Sequence, residues 1–266
     1  MTALRQLMNM SGRRALITGA AGGLGRVMAD SLAELGADLL LVDREGASTP
    51  ALAEEISARH GVKATALACD LEDADQRAAM AGTVLAEGGL SVLVNNAAFV
   101  GDSNLTGWSE PFESQSVETW RRALEVNLTA VFHLSQLFTP ALRADRGGSI
   151  VNIASIYGQW GPDWSLYEGT TMANPAGYGA SKGGLIQFTR WLATTLGPEV
   201  RVNAISPGGI ARGQASSFVE RYVARTPLGR MAKEEDFRGA IAYLSSDLSA
   251  YVTGQVLAVD GGWGAW

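Results

Sequence analysis

Apolar residues in this chain follow two alternating patterns. Short continuous runs, among them Ala15-Leu16-Ile17 and Leu39-Leu40-Leu41-Val42, have the length and composition of strands buried on both faces. Between such runs the apolar residues return every three or four positions, as Val27, Met28, Leu32 and Leu35 do, which is the spacing of a helix with one buried face. In chain order the pattern predicts a strand at 14–18, a glycine turn and a helix through 35, then a strand at 39–42. A helix at 51–60, a strand at 63–69, a helix at 73–87 and a strand at 92–94 follow. The second half reads as a long helix at 117–144, a strand at 149–153, an aperiodic loop at 155–174 and a helix through 196 carrying Tyr178 and Lys182. A strand at 200–205, helical pieces at 215–224 and 233–246, and a strand at 255–259 complete it. The alternation has no linker, so the economical expectation is one α/β domain over residues 1–266, a doubly wound parallel sheet with helices on both faces.

Composition narrows the function more than the fold. At 266 residues and 47% hydrophobic content the chain can bury a sizeable core, and its 32 glycines sit at punctuation points between apolar runs. A formal charge of -6, with no run of Lys and Arg, argues against a nucleic-acid partner. The single cysteine, Cys69, excludes an internal disulfide and a cysteine-rich metal site, and no metal is expected. No apolar run is long enough to span a bilayer, and residues 1–14 lack the apolar core of a signal peptide; a cytoplasmic protein without a membrane partner is expected.

Two stretches carry candidate chemistry. Gly19-Ala20-Ala21-Gly22-Gly23-Leu24-Gly25 follows a strand and opens a helix, and the next strand ends on Asp43. A helix N-terminus offers unpaired amides and the positive end of its dipole, and glycines let a pyrophosphate approach the backbone. Asp43 is placed to accept hydrogen bonds from the adenosine ribose, and its charge would repel a 2′-phosphate, which selects NAD over NADP. Arg44 beside it is able to bind that phosphate, although a solvent-exposed cation is the simpler reading. In the second stretch, Tyr178 and Lys182 stand four apart, so on a helix they share a face. An ammonium near a phenol favours phenolate, a usable acid/base device near neutrality.

Thr18-Gly19-(x)3-Gly23-Leu24-Gly25, Asp70-Leu71, Asn95-Asn96-Ala97, Asn127, Ser155, Tyr178-(x)3-Lys182 and Pro207-Gly208 stand in the order and approximate spacing of the short-chain dehydrogenase/reductases, and the chain resembles that family over nearly its whole length. The resemblance implies a Rossmann-type sheet of order 3-2-1-4-5-6-7 and hydride transfer between a nicotinamide and a secondary alcohol or ketone. It implies Tyr178 as general acid/base and Lys182 on the nicotinamide ribose, lowering the tyrosine pKa. Ser155 would hydrogen-bond the reacting oxygen and Asn127 would hold a relay water. Thr18 and the glycine loop, Asp70 and Leu71 at the adenine, Asn95, Asn96 and Ala97 at the fourth strand, and Pro207, Gly208 and Ile210 at the nicotinamide would contact the cofactor. A homotetramer, less often a dimer, is implied, with helices in 117–144 and 176–196 at the interface.

Three departures bear on the substrate. The interval from Ser155 to Tyr178, 178 − 155 = 23 positions, exceeds the family's usual one, and the added segment contains Trp160, Trp164, Tyr167 and Glu168. Those residues are expected to form a specificity wall, the aromatics stacking on a sugar ring or nucleobase and Glu168 accepting hydroxyl hydrogen bonds. Arg212 replaces a threonine often found four positions after the glycine of the Pro-Gly motif, and its fork suits a substrate carboxylate or phosphate. Ala98 replaces a glycine after the fourth strand. The long loop and Ser206-Pro207-Gly208-Gly209-Ile210 look like the subgroup acting in nonulosonic-acid and flagellin-sugar biosynthesis, which points to a sugar or sugar-like substrate. A polyol or gluconate-type alcohol is next, then a 3-oxoacyl thioester; a catalytically silent cofactor-binding protein is the alternative from another class. Trp263 and Trp266 are expected to be buried at a subunit contact or over a neighbouring active site.

Overall fold

The computed structural model describes residues 1–100, 105–145 and 147–266. Seven strands form one parallel sheet: β1 (Arg14–Thr18), β2 (Asp38–Asp43), β3 (Ala64–Ala68), β4 (Val92–Asn95), β5 (Gly148–Ile153), β6 (Val200–Pro207) and β7 (Val256–Val259). Their order is β3-β2-β1-β4-β5-β6-β7, as the resemblance implies. The helices are α1 (Leu4–Met8), α2 (Gly23–Glu34), α3 (Thr49–His60), α4 (Ala74–Glu87), α5 (Val117–Leu124), α6 (Ala130–Ala144), α7 (Ala176–Leu196), α8 (Ser216–Arg225) and α9 (Arg238–Ser245). No described helix is long and apolar enough to cross a membrane.

The two-residue period of the strands divides the core between the faces. Ala15, Ile17, Leu39, Leu41 and Val94 pack with Met28 and Leu32 of α2, Ile56 of α3 and Ile241 of α9. Leu16, Leu40, Val42, Leu93 and Ile150 face the other way, onto Val84 of α4, Phe138 of α6 and Leu192 of α7. Strands apolar on both faces are thus required by helices on both faces. The chain passes from β3 at one edge to β4 beside β1, and this reversal opens a crevice at the carboxyl ends of the central strands.

A third, smaller core lies under the loop after β5. Ile156, Leu166, Phe218, Tyr222, Met231 and Trp263 pack there with Tyr157 and Tyr167. Trp263 is therefore buried within its own chain, stacked on Tyr222 with ring centroids 6.0 Å apart and capped by the Arg225 guanidinium at 4.3 Å. This corrects the expectation that it needs a second subunit for burial; Trp266 is exposed.

The expected helix at 117–144 is interrupted. Glu125–Thr129 is a π turn between α5 and α6, and it carries Asn127. The loop at 155–174 contains two 3-10 turns, Ile156–Gly158 and Trp164–Tyr167, and the piece expected at 233–246 is a 3-10 turn, Glu234–Phe237, followed by α9.

Candidate active site

The glycine turn after β1 is shaped by what its backbone must clear. Gly19 has φ +64°, and a Cβ there would lie 2.8 Å from the Ala97 Cα. A Cβ on Gly25 would lie 2.2 Å from the Gly19 carbonyl oxygen, so α2 can start this close to the turn only with glycine at that position. Asp43, at the end of β2, accepts hydrogen bonds from the Ala21 N–H at 2.9 Å and the Arg44 N–H at 2.9 Å. Its carboxylate therefore sits at the turn with its charge held in place.

Two adjoining cavities occupy the crevice. One, of about 470 Å³, is lined by Arg44, Asp70, Leu71 and Arg122 among others. The second, of about 540 Å³, runs from Gly22, Gly23, Leu24 and Gly25 to Ser155, Tyr178 and Lys182, and its walls include Asn96, Ala97, Pro207, Gly208, Ile210 and Arg212. Gly19, Asp43 and Ala97 border both. A narrow groove with backbone exposed at a helix N-terminus and a fixed acid at the next strand suits an adenine dinucleotide in both shape and charge.

Two expected contacts are instead supports. Thr18 is buried and its hydroxyl accepts the Asn96 and Ala97 N–H groups at 3.0 and 3.1 Å, fixing the turn after β4. Asn95 is buried in the sheet, where its amide donates to Asn152 Oδ1 at 2.9 Å and Asn152 donates to Thr189 at 2.9 Å. Neither lines the crevice, because both side chains are committed to β4, β5 and α7. Asn96 does line it, and its amide donates to the Thr18 and Gly19 carbonyls at 2.9 and 3.0 Å.

At the other end, α7 brings Tyr178 and Lys182 onto one face, with the ammonium 5.8 Å from the tyrosine ring centroid. Lys182 is buried and donates to the Ile153 carbonyl at 2.7 Å, which ties it to the end of β5 two residues before Ser155. Ser155 caps the following 3-10 turn, accepting the Tyr157 N–H at 3.2 Å, and is hydrogen-bonded to the Tyr178 hydroxyl. Asn127 is fully buried: its Oδ1 accepts the Phe99 N–H at 2.6 Å, and its amide donates to the Phe99 carbonyl at 3.2 Å and to Ser181 Oγ at 3.0 Å. Asn127 thereby ties the π turn to α7 and to the segment after β4.

The electrostatics differ from expectation. Burial pushes the Tyr178 phenol up; the Ser155 hydrogen bond and the charge of Arg212 oppose it. Burial pulls Lys182 down to about 8. Desolvation thus outweighs the Ser155 hydrogen bond and the Arg212 charge that favour the phenolate.

The loop aromatics divide. Trp160 and Trp164 are about half exposed and line a neighbouring cavity of about 600 Å³ with Phe112, Tyr157 and Asn174, next to α7 at Ala176 and Gly179. Tyr167 does not join them; its hydroxyl is 2.6 Å from that of Tyr157 and its ring packs on Phe218 at 5.4 Å. Glu168 lines neither this cavity nor the crevice, and its carbonyl accepts the Arg221 guanidinium at 2.6 Å. Both were expected in a specificity wall, and both are used to hold the loop to α8. Arg212 is on the crevice wall and is ion-paired with Glu234 at 3.0 Å. Glu234 was not singled out in the sequence, where it is one acid of a polar run; only the fold places it against Gly23.

Comparison with known proteins agrees with this geometry. The family model described as enoyl-(acyl carrier protein) reductase matches residues 19–264. The 3-oxoacyl-[acyl-carrier-protein] reductase of Thermotoga maritima is 34% identical over 96% of this chain and 99% of its own length. The galactitol 2-dehydrogenase (L-tagatose-forming) of Cereibacter sphaeroides is 33% identical over 98% and 99%. The crystal structure of a gluconate 5-dehydrogenase from Burkholderia cenocepacia in complex with NADP and tartrate superposes with a TM-score of 0.87 at 28% identity, over 99% of this chain and 100% of that one.

Proposed function

Since the chain belongs to the short-chain dehydrogenase/reductase family, an oxidoreductase family, we propose that it interconverts a secondary alcohol and a ketone on a sugar-like or polyol substrate, with NAD as cofactor. The observation that carries this reading is the single cavity joining the glycine turn to Ser155, Tyr178 and Lys182. The turn and α2 would hold the pyrophosphate, Asp43 the adenosine ribose, Asp70 and Leu71 the adenine side, and Lys182 the nicotinamide ribose. The dinucleotide, when bound, supplies the hydride acceptor or donor.

The chain's own groups manage the proton. In the oxidising direction the proton of the substrate hydroxyl passes to the Tyr178 oxygen, and in the reducing direction Tyr178 returns it. Ser155 donates a hydrogen bond to the substrate oxygen as charge develops there. Lys182 supplies positive charge behind Tyr178, and Asn127, on its π turn, supports the relay from that region to solvent. With its phenol pushed up by burial, Tyr178 is a proton donor at neutral pH, and its use as a base depends on added positive charge nearby.

Asp43 supports NAD over NADP, since a 2′-phosphate would face its carboxylate. Trp160 and Trp164 support a ring-bearing or polyhydroxylated substrate, with aromatic faces beside the reaction centre. A 3-oxoacyl thioester is the second reading, favoured by the identity to the Thermotoga enzyme. Phe132, Phe188 and Trp191 form an aromatic stripe on α6 and α7, with Phe188 and Trp191 stacked 6.3 Å apart, which supports a homotetramer or dimer built on those helices. The buried free thiol of Cys69 fits a reducing, cytoplasmic setting.

The test is a rate measurement with the purified protein, NAD or NADP, and a panel of polyols, sugar acids and sugars. Formation of reduced nicotinamide with at least one of them, faster with NAD, is expected. No turnover across the panel together with brisk reduction of a 3-oxoacyl thioester would move the assignment to the second reading.

A further inference from the structure

We propose that Arg212 is the receptor for a carboxylate on the substrate, held in position by Glu234. The inference rests on the dehydrogenase reading and adds a substrate class to it, hydroxy acids and keto acids.

Arg212 lines the same cavity as Ser155 and Tyr178. Its charge favours the phenolate form of Tyr178. The guanidinium is held by one edge. Nε donates to Glu234 Oε1 at 3.0 Å, and among the described residues Nη1 and Nη2 have no hydrogen-bond partner, while the side chain is 53% exposed. Two parallel N–H donors on a fixed plane match the two oxygens of a carboxylate.

The backbone under Arg212 is set in advance. Its N–H donates to Gln214 Oε1 at 2.7 Å, and Gln214 donates to the Ile210 carbonyl at 2.7 Å. Ala211 and Ala232 clip this segment to the next through bonds of 2.9 Å, from the Ala211 N–H to the Ala232 carbonyl and from the Ala232 N–H to the Gly209 carbonyl. Glu234 is located by the glycine turn itself, for a Cβ on Gly23 would lie 2.7 Å from its Oε1. Glu234 rests on the first residue of α2 and is bonded to Arg212, so the guanidinium is held between the glycine turn and Tyr178, and ADP-ribose affinity separates the two sources of oxyanion.

The experiment uses matched acids and polyols: glycerate with glycerol, threonate with threitol, gluconate with glucitol. Initial rates with NAD and binding calorimetry are run on the wild type, Arg212→Gln, Arg212→Lys and Glu234→Gln. The wild type is expected to favour the acid of at least one pair. Arg212→Gln should lower that acid-to-polyol ratio of kcat/KM by about 10- to 100-fold, the worth of a charged hydrogen-bonded pair, with the change in KM. Arg212→Lys should recover part of it, and Glu234→Gln should lower the ratio by a smaller factor, again through KM. ADP-ribose affinity should be unchanged by Arg212→Gln. A ratio unchanged in Arg212→Gln overturns the proposal, as does an equal loss of ADP-ribose affinity, which would assign the fork to the cofactor phosphates. Absence of acid binding to the wild type in every pair overturns it too. If acids bind through Arg212 but no pair is turned over, the receptor stands and the dehydrogenase reading falls.

Discussion

The crevice and the cavity beside it are built by different means. Tyr178 and Lys182 project from the first half of a 21-residue helix, and Lys182 is bonded to the end of a fully buried strand. The loop beside it, residues 156–175, contains two 3-10 turns, and its two tryptophans stand half in solvent around the neighbouring cavity. Groups that must hold position within a fraction of an ångström sit where packing on several sides fixes their rotamers. Groups that recognise a substrate sit where the backbone can vary without disturbing the sheet. On the proposed reading, chemistry and specificity are thereby divided between two neighbouring cavities.

Substitutions in the crevice should cost far more than those of the loop tryptophans. Ser155→Ala removes the neutral donor at the reacting oxygen and is expected to lower kcat by about 10²- to 10³-fold, with dinucleotide affinity unchanged in a fluorescence titration. An equal loss in affinity would mean that Ser155 supports the fold of the site and not its reaction.

Lys182 gives the next largest effect, in stability against pH. Its pKa falls from the ordinary 10.5 to about 8 in the native chain. Below about pH 8 both states are protonated and the native state bears the whole cost, about 3 kcal/mol. Between about 8 and 10.5 the unfolded chain binds more protons, so stability rises with pH, and above that range the cost is gone. Denaturant unfolding of the wild type and Lys182→Met should therefore diverge in favour of the wild type as pH rises through this window. A constant difference would show that the ammonium is solvated in the native protein.

Gly158 joins the loop to α7. A Cβ there would lie 2.7 Å from the Lys182 carbonyl carbon, against backbone that cannot turn aside. Gly158→Ala should cost about 1–3 kcal/mol and lower activity, while Gly161→Ala, with nothing within 4 Å, should do neither. Similar behaviour of the two variants would break the claimed coupling of loop to helix. At the far end of the crevice, Asp43→Ser should move the NADP-to-NAD ratio of kcat/KM upward on the order of tenfold, about 1.4 kcal/mol. The smallest change is expected for Trp160→Ala, a few-fold rise in KM, of the size of one exposed aromatic contact.

The strands and helices were legible because a parallel sheet with covered faces imposes continuous apolar runs, and 14–18 and 39–42 show them plainly. The π turn at Glu125–Thr129 was not, because its apolar residues keep helical spacing while only the hydrogen-bond register changes. Tyr178, Lys182, Ser155 and Asp43 were legible as types at ordered spacings. The supporting roles of Thr18 and Asn95 were hidden, since a side chain pointing into the sheet and one pointing into the crevice occupy adjacent positions. The upward push on Tyr178 was hidden as well, because desolvation depends on three-dimensional burial and the four-residue spacing shows only proximity. Trp263, near the chain end, gave no sign of the pocket that Tyr222 and Arg225 make for it.

The most direct test of the account is the Tyr178→Phe variant, with NAD affinity and the initial rate of nicotinamide reduction measured on the same sample with the best alcohol found for the wild type. Retained affinity with a rate lower by about 10²- to 10⁴-fold is the predicted result. Retained affinity with a wild-type rate would contradict the assignment of the proton to Tyr178.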